Sequence, residues 1–315
     1  MRSTGLSTEG VELALAHHLE LDASEADLAT LVARAGDAPK VAVVLSANVF
    51  VGALHAIALA RAASTDVVVR PSRRDPAFAR ALVEAAVAQG DTGLRLDESL
   101  DLTSIVDGEV HVYSHDETIA LVRQQTAARV RGHGSAMGVV WLSSNADVEA
   151  SARALADDIV VFDQRGCLSP RIALVQGDEA RAALFAEALH RELERRAALV
   201  PRGEVPAEAR AEAARYLTTM TYAGRALVGS QHGLGIGPPE AALVLPPPYR
   251  HLHLVACPSL ALGSALLAPF AKGVVTLGSD DPAAARALAP GGARVAVLGA
   301  MQRPPLDGPV DLRES

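Results

Sequence analysis

Short runs of Val, Ala, Leu and Ile, too brief for helices and too apolar for an exposed surface, recur along this chain and set its fold class. They stand at Val41–Leu45, Asp66–Val69, Val110–Tyr113, Val139–Leu142, Ile172–Gln176, Ala242–Leu245, Gly273–Leu277 and Arg294–Val297. A strand that is apolar at every position must be covered on both faces, which is the situation of a parallel sheet between two helical layers. The intervening text supplies the helices: Glu9–Leu21, Ser24–Ala35, Leu54–Ala63, Pro76–Gln89, Asp116–Arg129, Asp147–Asp157, Glu179–Ala198, Ala207–Met220 and Pro282–Leu288. Ser24 with Asp27 three residues on forms an approximate capping box, and Asp116 and Asp147 are natural N-caps. Strand, helix, strand, helix at this spacing predicts right-handed crossovers. The class is α/β, and 315 residues suffice for about two domains.

Charge excludes one class of partner. The net charge is −8, and arginines such as those of Arg191–Arg196 alternate with Glu192 and Glu194, so the chain lacks the basic stripe of a nucleic-acid surface. The stretch from Val41 to Ala62 carries Asn48 and His55 and makes a poor membrane span; the N-terminus lacks the layout of a signal peptide. Cys167 and Cys257 alone build neither a disulfide framework nor a zinc site. A cytoplasmic protein without a metal is expected.

Cys167 is the candidate nucleophile, since Arg165-Gly166-Cys167 makes a polar turn between the apolar run Ile159–Phe162 and the Pro170-Arg171 break. There the thiol can be exposed, with Arg165 and Arg171 to favour the thiolate; the bland reading is a small buried hydrophobe. Cys257, inside an apolar run, reads as core. Asn48 by itself reads as a helix N-cap. His251 and His253 share one face of a strand, a spacing that can hold metal, but without a third ligand they read as an exposed or satisfied pair. Gly233–Gly237 (GLGIG) neither follows a strand nor opens a helix, so it is not expected to be a dinucleotide loop.

Four separated segments, in order, resemble the aldehyde dehydrogenase superfamily and more narrowly its long-chain acyl-CoA reductase branch. Ser46-Ala47-Asn48-Val49-Phe50 resembles the strand-turn-helix motif whose asparagine helps form the oxyanion hole. Val67-Val68-Val69-Arg70-Pro71-Ser72 resembles the turn that binds the cofactor ribose, Asp163–Pro170 the nucleophile loop, and Leu298–Pro305 the C-terminal signature. The resemblance covers 41–308 and implies two Rossmann-like three-layer domains with mainly parallel sheets. It implies a cofactor domain over 1–142, a catalytic domain over 143–272 and a segment 273–315 returning to the cofactor domain. Asn48 is preceded by 47 residues, fewer than the branch usually has.

The implied chemistry is NADPH- or NADH-dependent reduction of an acyl-CoA to an aldehyde. In it Cys167 takes the acyl group and Asn48 stabilises the oxyanion, while Ser46, Arg70, Pro71, Ser72, Arg73 and Ser114 bind the cofactor. Arg70 stands where a lysine is usual, and with Arg73 and Arg74 could hold the extra phosphate of NADPH. The glutamate base of the oxidising members falls on or beside His133. Loss of that carboxylate favours reduction, which needs no water for deacylation; His133 itself reads equally as an acid or base or as filler of a Gly-rich turn. Reduction of an acyl phosphate, or a shortened scaffold without turnover, are the alternatives, and the resemblance implies a homo-oligomer or a subunit of a larger complex.

Overall fold

The computed structural model describes residues 3–239 and 241–313, and the chain divides into two compact units. The first comprises residues 17–135 and 303–313; the second, 3–16 and 136–302.

The first unit holds a five-stranded parallel sheet, ordered β3-β2-β1-β4-β5. The strands are β1 (Val41–Val44), β2 (Val67–Arg70), β3 (Leu94–Leu96), β4 (Glu109–Tyr113) and β5 (Arg129–His133). Helices α2 (Glu25–Ala35), α3 (Ala53–Ala63) and α4 (Ala77–Ala88) lie in this unit, and α5 (Asp116–Gln125) follows β4. Both faces of the central strands are covered. Val41, Val43, Val67 and Val69 pack with α2, α3 and α4, while Ala42, Val44, Val68, Val110 and Val112 pack with Ile119 and Val122 of α5. Each such valine contributes roughly 1.5–3 kcal/mol by leaving water, which explains why these strands are apolar throughout. Ser24 caps α2 in a full capping box with Asp27.

One expectation fails here. The helix from Asp116 stops at Gln125, and Arg129–His133, read as helix end and glycine turn, is an edge strand paired with β4. An edge strand needs no continuous apolar text. Arg131 instead pairs with the buried carboxylate of Glu109 at 2.7 Å.

The second unit begins with α1 (Thr8–His17) and contains a seven-stranded sheet, ordered β12-β11-β6-β7-β10-β9-β8. The strands are β6 (Met137–Leu142), β7 (Pro170–Val175), β8 (Arg225–Val228), β9 (Gly233–Gly237), β10 (His251–Ala256), β11 (Val274–Ser279) and β12 (Arg294–Val297). All pairings are parallel except that of β8 with β9. Helices α6 (Val148–Val160) and α7 (Glu179–Leu199) cover one face, α9 (Leu260–Leu267) and α10 (Pro282–Leu288) the other, and α8 (Ala207–Ala223) packs on β8 and β9.

The domain limits differ from those expected. Met137–Leu142 pairs with β7 and β11 in the second unit, and the strands between 274 and 297 stay in that sheet. Only from Arg303 does the chain rejoin the first unit. The ambiguity was physical: an apolar strand carries no label saying which sheet it joins.

The strand expected at Ala242–Leu245 is absent. Three prolines, 246–248, follow it and cannot donate to a ladder, and Leu243 is instead a buried side chain of the core. The strand lies at GLGIG, where glycine is required by close approach: a Cβ on Gly233 would stand 2.7 Å from Leu217 of α8, and one on Gly237 2.9 Å from His253.

Candidate active site

Cys167 sits in a turn of the second unit closed by the Ser169 N–H donating to the Gly166 carbonyl at 3.1 Å, with Cys167 and Leu168 at its centre. The thiol is half-buried. The apolar run before it is not a strand: α6 runs to Val160, and the chain then makes a tight turn over Val161–Gln164. Phe162, Asp163 and Gln164 all have left-handed backbone, with φ of 55°, 50° and 59°. Such residues cost about 1–2 kcal/mol each, so the surroundings must over-determine them.

They do so with buried polar contacts. Arg250 holds the Asp163 carboxylate at 2.7 Å, and the Gly203 N–H donates to its other oxygen at 2.9 Å. Gln164 donates to the Pro170 and His251 carbonyls at 2.6 and 2.7 Å and accepts from the His251 N–H at 2.8 Å. Tyr249 and Arg250 are also left-handed, at 70°, and the Tyr249 N–H donates to the Asp163 carbonyl. Both charges of the ion pair are about 2% exposed. Burial lowers the Arg250 pKa, and Asp163 opposes that shift. Arg165 donates to the Thr4 and Phe162 carbonyls, and Arg171 to that of Pro246.

The C-terminal signature meets this loop within the same unit. The Gly138 N–H donates to the Ser169 carbonyl at 2.8 Å, and a Cβ on Gly138 would collide with the Leu168 carbonyl and Met301. Buried Asp158 on α6 accepts from the Gly299 and Met301 N–H groups at 2.6 and 2.9 Å, fixing the segment that carries Met301. Desolvation raises the Asp158 pKa to about 7 against these donors. Gln302 is buried and its Oε1 is 3.4 Å from the Ser169 Oγ.

In the first unit, the order β3-β2-β1-β4-β5 puts a topological switch point between β1 and β4, the place where doubly wound sheets bind ligands beyond their carboxyl ends. Ser46 and Asn48 follow β1, Pro71–Arg74 follow Arg70 at the end of β2, and Ser114 follows β4. Asn48 caps nothing: the N-caps here are Val49 and Gly52, and neither uses a side chain. Its Oδ1 accepts from Arg74 at 3.2 Å, which turns its amide to serve as a donor. Among the described residues no carboxylate is ion-paired with Arg70, Arg73 or Arg74. Arg70 is half-buried, and its pKa is lowered first by burial and then by the nearby positive charge of Arg73. Hydroxyls and unneutralised guanidinium groups beyond the strand ends suit ribose and phosphate, so the donor set fits a nicotinamide dinucleotide.

His133 ends β5 and stacks on Tyr113, with ring centroids 4.3 Å apart and planes at 10°. Burial, then the neighbouring His111, pushes its pKa down to about 4, leaving it neutral around pH 7. His251 and His253 are both buried; their Nδ1 atoms bond the Pro248 carbonyl at 2.9 Å and the Tyr216 hydroxyl at 3.2 Å. Cys257 is fully buried. Within Arg191–Arg196, Glu192 is buried under Arg195 and Arg196. No group of His, Cys, Asp and Glu among the described residues could hold a metal, and no helix among them is long and apolar enough to cross a membrane.

Sequence reasoning passed over Arg250 and gave Asp163 and Gln164 no role of their own. The available signal was polar residues set directly against apolar text, in VVFDQ and in YRHLHLVA.

A profile of the family described as acyl-CoA reductase (LuxC) matches residues 33–313. No curated protein matches the chain. Among solved structures it is similar to an NAD-dependent aldehyde dehydrogenase from Sinorhizobium meliloti, with 16% identity over 84% of this chain and 59% of that one, TM-score 0.59. It is also similar to a propionaldehyde dehydrogenase from the Clostridium phytofermentans fucose utilisation bacterial microcompartment, with 14% identity, 84% and 68% coverage and TM-score 0.56. A third is an indole-3-acetaldehyde dehydrogenase complexed with NAD+, with 15% identity, 83% and 60% coverage and TM-score 0.61. The chain thus spans 59%, 68% and 60% of the lengths of these three proteins. The fold is that of the aldehyde dehydrogenases, and with the profile covering nearly the whole sequence, the chain belongs to the acyl-CoA reductase (LuxC) family.

Proposed function

We propose that the protein reduces an acyl-CoA thioester to the aldehyde with NADPH or NADH. The observation that carries this is Cys167, half-buried at the centre of a hydrogen-bonded turn, in a chain of the acyl-CoA reductase family.

The Cys167 thiolate attacks the thioester carbonyl, the bond to CoA sulfur breaks, and CoA leaves as a thiolate that takes up a proton. The acyl group is then a thioester of Cys167. During attack negative charge gathers on the carbonyl oxygen, where an amide donor such as that of Asn48 and a backbone N–H stabilise it. Ser46, Ser72, Ser114 and Arg70 would hold the nicotinamide cofactor, with Pro71 fixing their turn and Arg73 and Arg74 reading a 2′-phosphate. That cofactor supplies the hydride that releases the acyl group as an aldehyde. His133, neutral and stacked, takes no part in proton transfer near pH 7 in this reading.

The test is acyl-CoA-dependent oxidation of NADPH and of NADH, with the aldehyde trapped, over a panel of acyl chain lengths and with acyl phosphates alongside. Turnover with a thioester and formation of one aldehyde per reduced cofactor are expected, and Arg73→Ala with Arg74→Ala should raise the KM for NADPH more than that for NADH. Turnover with acyl phosphate alone would replace the substrate class; none with either would refute the reading.

A further inference from the structure

We infer that Asp163 and Gln164, locked by Arg250 and the backbone of His251, are positioning residues that set the placement and reactivity of the Cys167 thiol. The inference builds on the proposed role of Cys167 but is measured on the thiol itself.

Three observations converge. The left-handed run Phe162–Gln164 ends two residues before Gly166, so its geometry fixes the direction in which the nucleophile turn leaves α6. The Gln164 side chain spans that turn, donating at 2.6 Å to the carbonyl of Pro170, the first residue of β7 and the one that follows the turn. It thus ties the exit of the turn to its entrance, and ties both to β10 through His251. Asp163 is held on three sides, by the Arg250 guanidinium, by the Gly203 N–H on its carboxylate and by the Tyr249 N–H on its carbonyl. Arg250 donates in turn to the Val200 carbonyl at 2.9 Å, anchoring the clasp to the end of α7.

A set of buried charges and a left-handed run would be an unusual means of joining a helix to a strand; αβ connections of about two to six residues ordinarily do that without either. What this arrangement adds is a single allowed conformation for the residues around Cys167. Asp163 and Gln164 touch no reacting atom and act only through the turn.

The experiment uses the full chain, with Gln164→Ala as the primary variant because it removes three hydrogen bonds without leaving a buried charge. The double variant Asp163→Asn with Arg250→Gln keeps neutral hydrogen bonding, and asparagine tolerates left-handed backbone. Alkylation of Cys167 by iodoacetamide is followed against pH by peptide mass spectrometry, with Cys257 as internal control and melting curves to confirm folding. The wild-type pH midpoint should stand apart from that of an unstructured cysteine peptide, about 8.5. Gln164→Ala should move to the peptide value at unchanged folded fraction, and the double variant should lie between. Coincident profiles for wild type and Gln164→Ala, or a wild-type profile that already matches the peptide, would overturn the inference. A parallel incubation with acyl-CoA separates the two claims. A clasp-dependent alkylation profile without any acyl adduct would leave the positioning role standing and remove the acyl-CoA reading. An adduct that forms equally fast in wild type and Gln164→Ala would do the reverse.

Discussion

Asn48 and Asp163 show how far one residue's role depends on its hydrogen-bond partners. Asn48 in the sequence looks like a cap, yet its carbonyl oxygen is engaged by Arg74 and its amide is what remains to donate. If that amide stabilises the developing oxyanion, Asn48→Ala lowers kcat by roughly 10²-fold or more, about 3 kcal/mol of barrier, with little change in KM. Steady-state kinetics on the variant checks this. Asp163 and Arg250 make the opposite kind of prediction. Each is about 2% exposed, so removing one partner strands a buried charge. Arg250→Ala should therefore destabilise by about 3–5 kcal/mol in urea unfolding, and replacing both partners with neutral residues should cost less than the single change.

At the scale of elements, the apolar strands buried on both faces were legible, and of the edge strands Arg294–Val297 was legible and Arg129–His133 was not. Val41–Val44 and Val139–Leu142 announce themselves because parallel strands under two helical layers must be apolar throughout. Arg129–His133 did not, since an edge strand can satisfy Arg131 with Glu109, and Gly233–Gly237 did not, since its glycines answer to the crowding of α8 and of His253 on β10. The same contrast governs the site. The segments around Cys167 and Asn48 were legible through their resemblance to a family, whereas the clasp was not, because Arg250 lies 87 residues from Asp163 and nothing local links them. Gly138 gives an element-scale test. A methyl group there would collide with the turn that carries Cys167 and with Met301, so Gly138→Ala should cost about 1–3 kcal/mol and depress thiol reactivity at Cys167, read by unfolding and alkylation together.

For the whole molecule, the buried histidines set the acid limit. Burial holds His18, His133, His232, His251 and His253 at pKa values of about 4, below the usual 6.5. The folded chain then binds fewer protons than the unfolded one between those values. Their contribution to stability is full above about pH 6.5 and is lost as pH falls towards 4. Asp158 acts in the other direction: its pKa is raised to about 7, so its contribution is full below about pH 4 and is lost as pH rises through 7. Melting temperature followed by circular dichroism should fall on acidification from pH 6.5, and His253→Gln should reduce the slope.

The central claim is that Cys167 carries the acyl group. Its most direct measurement is intact-mass spectrometry of the chain incubated with acyl-CoA thioesters in the absence of nicotinamide cofactor, beside Cys167→Ala. An increment of one acyl group is expected on the native chain, absent from Cys167→Ala, present in Cys257→Ala, and discharged when NADPH or NADH is added. An adduct that persists in Cys167→Ala, or none with any thioester tried, would contradict it.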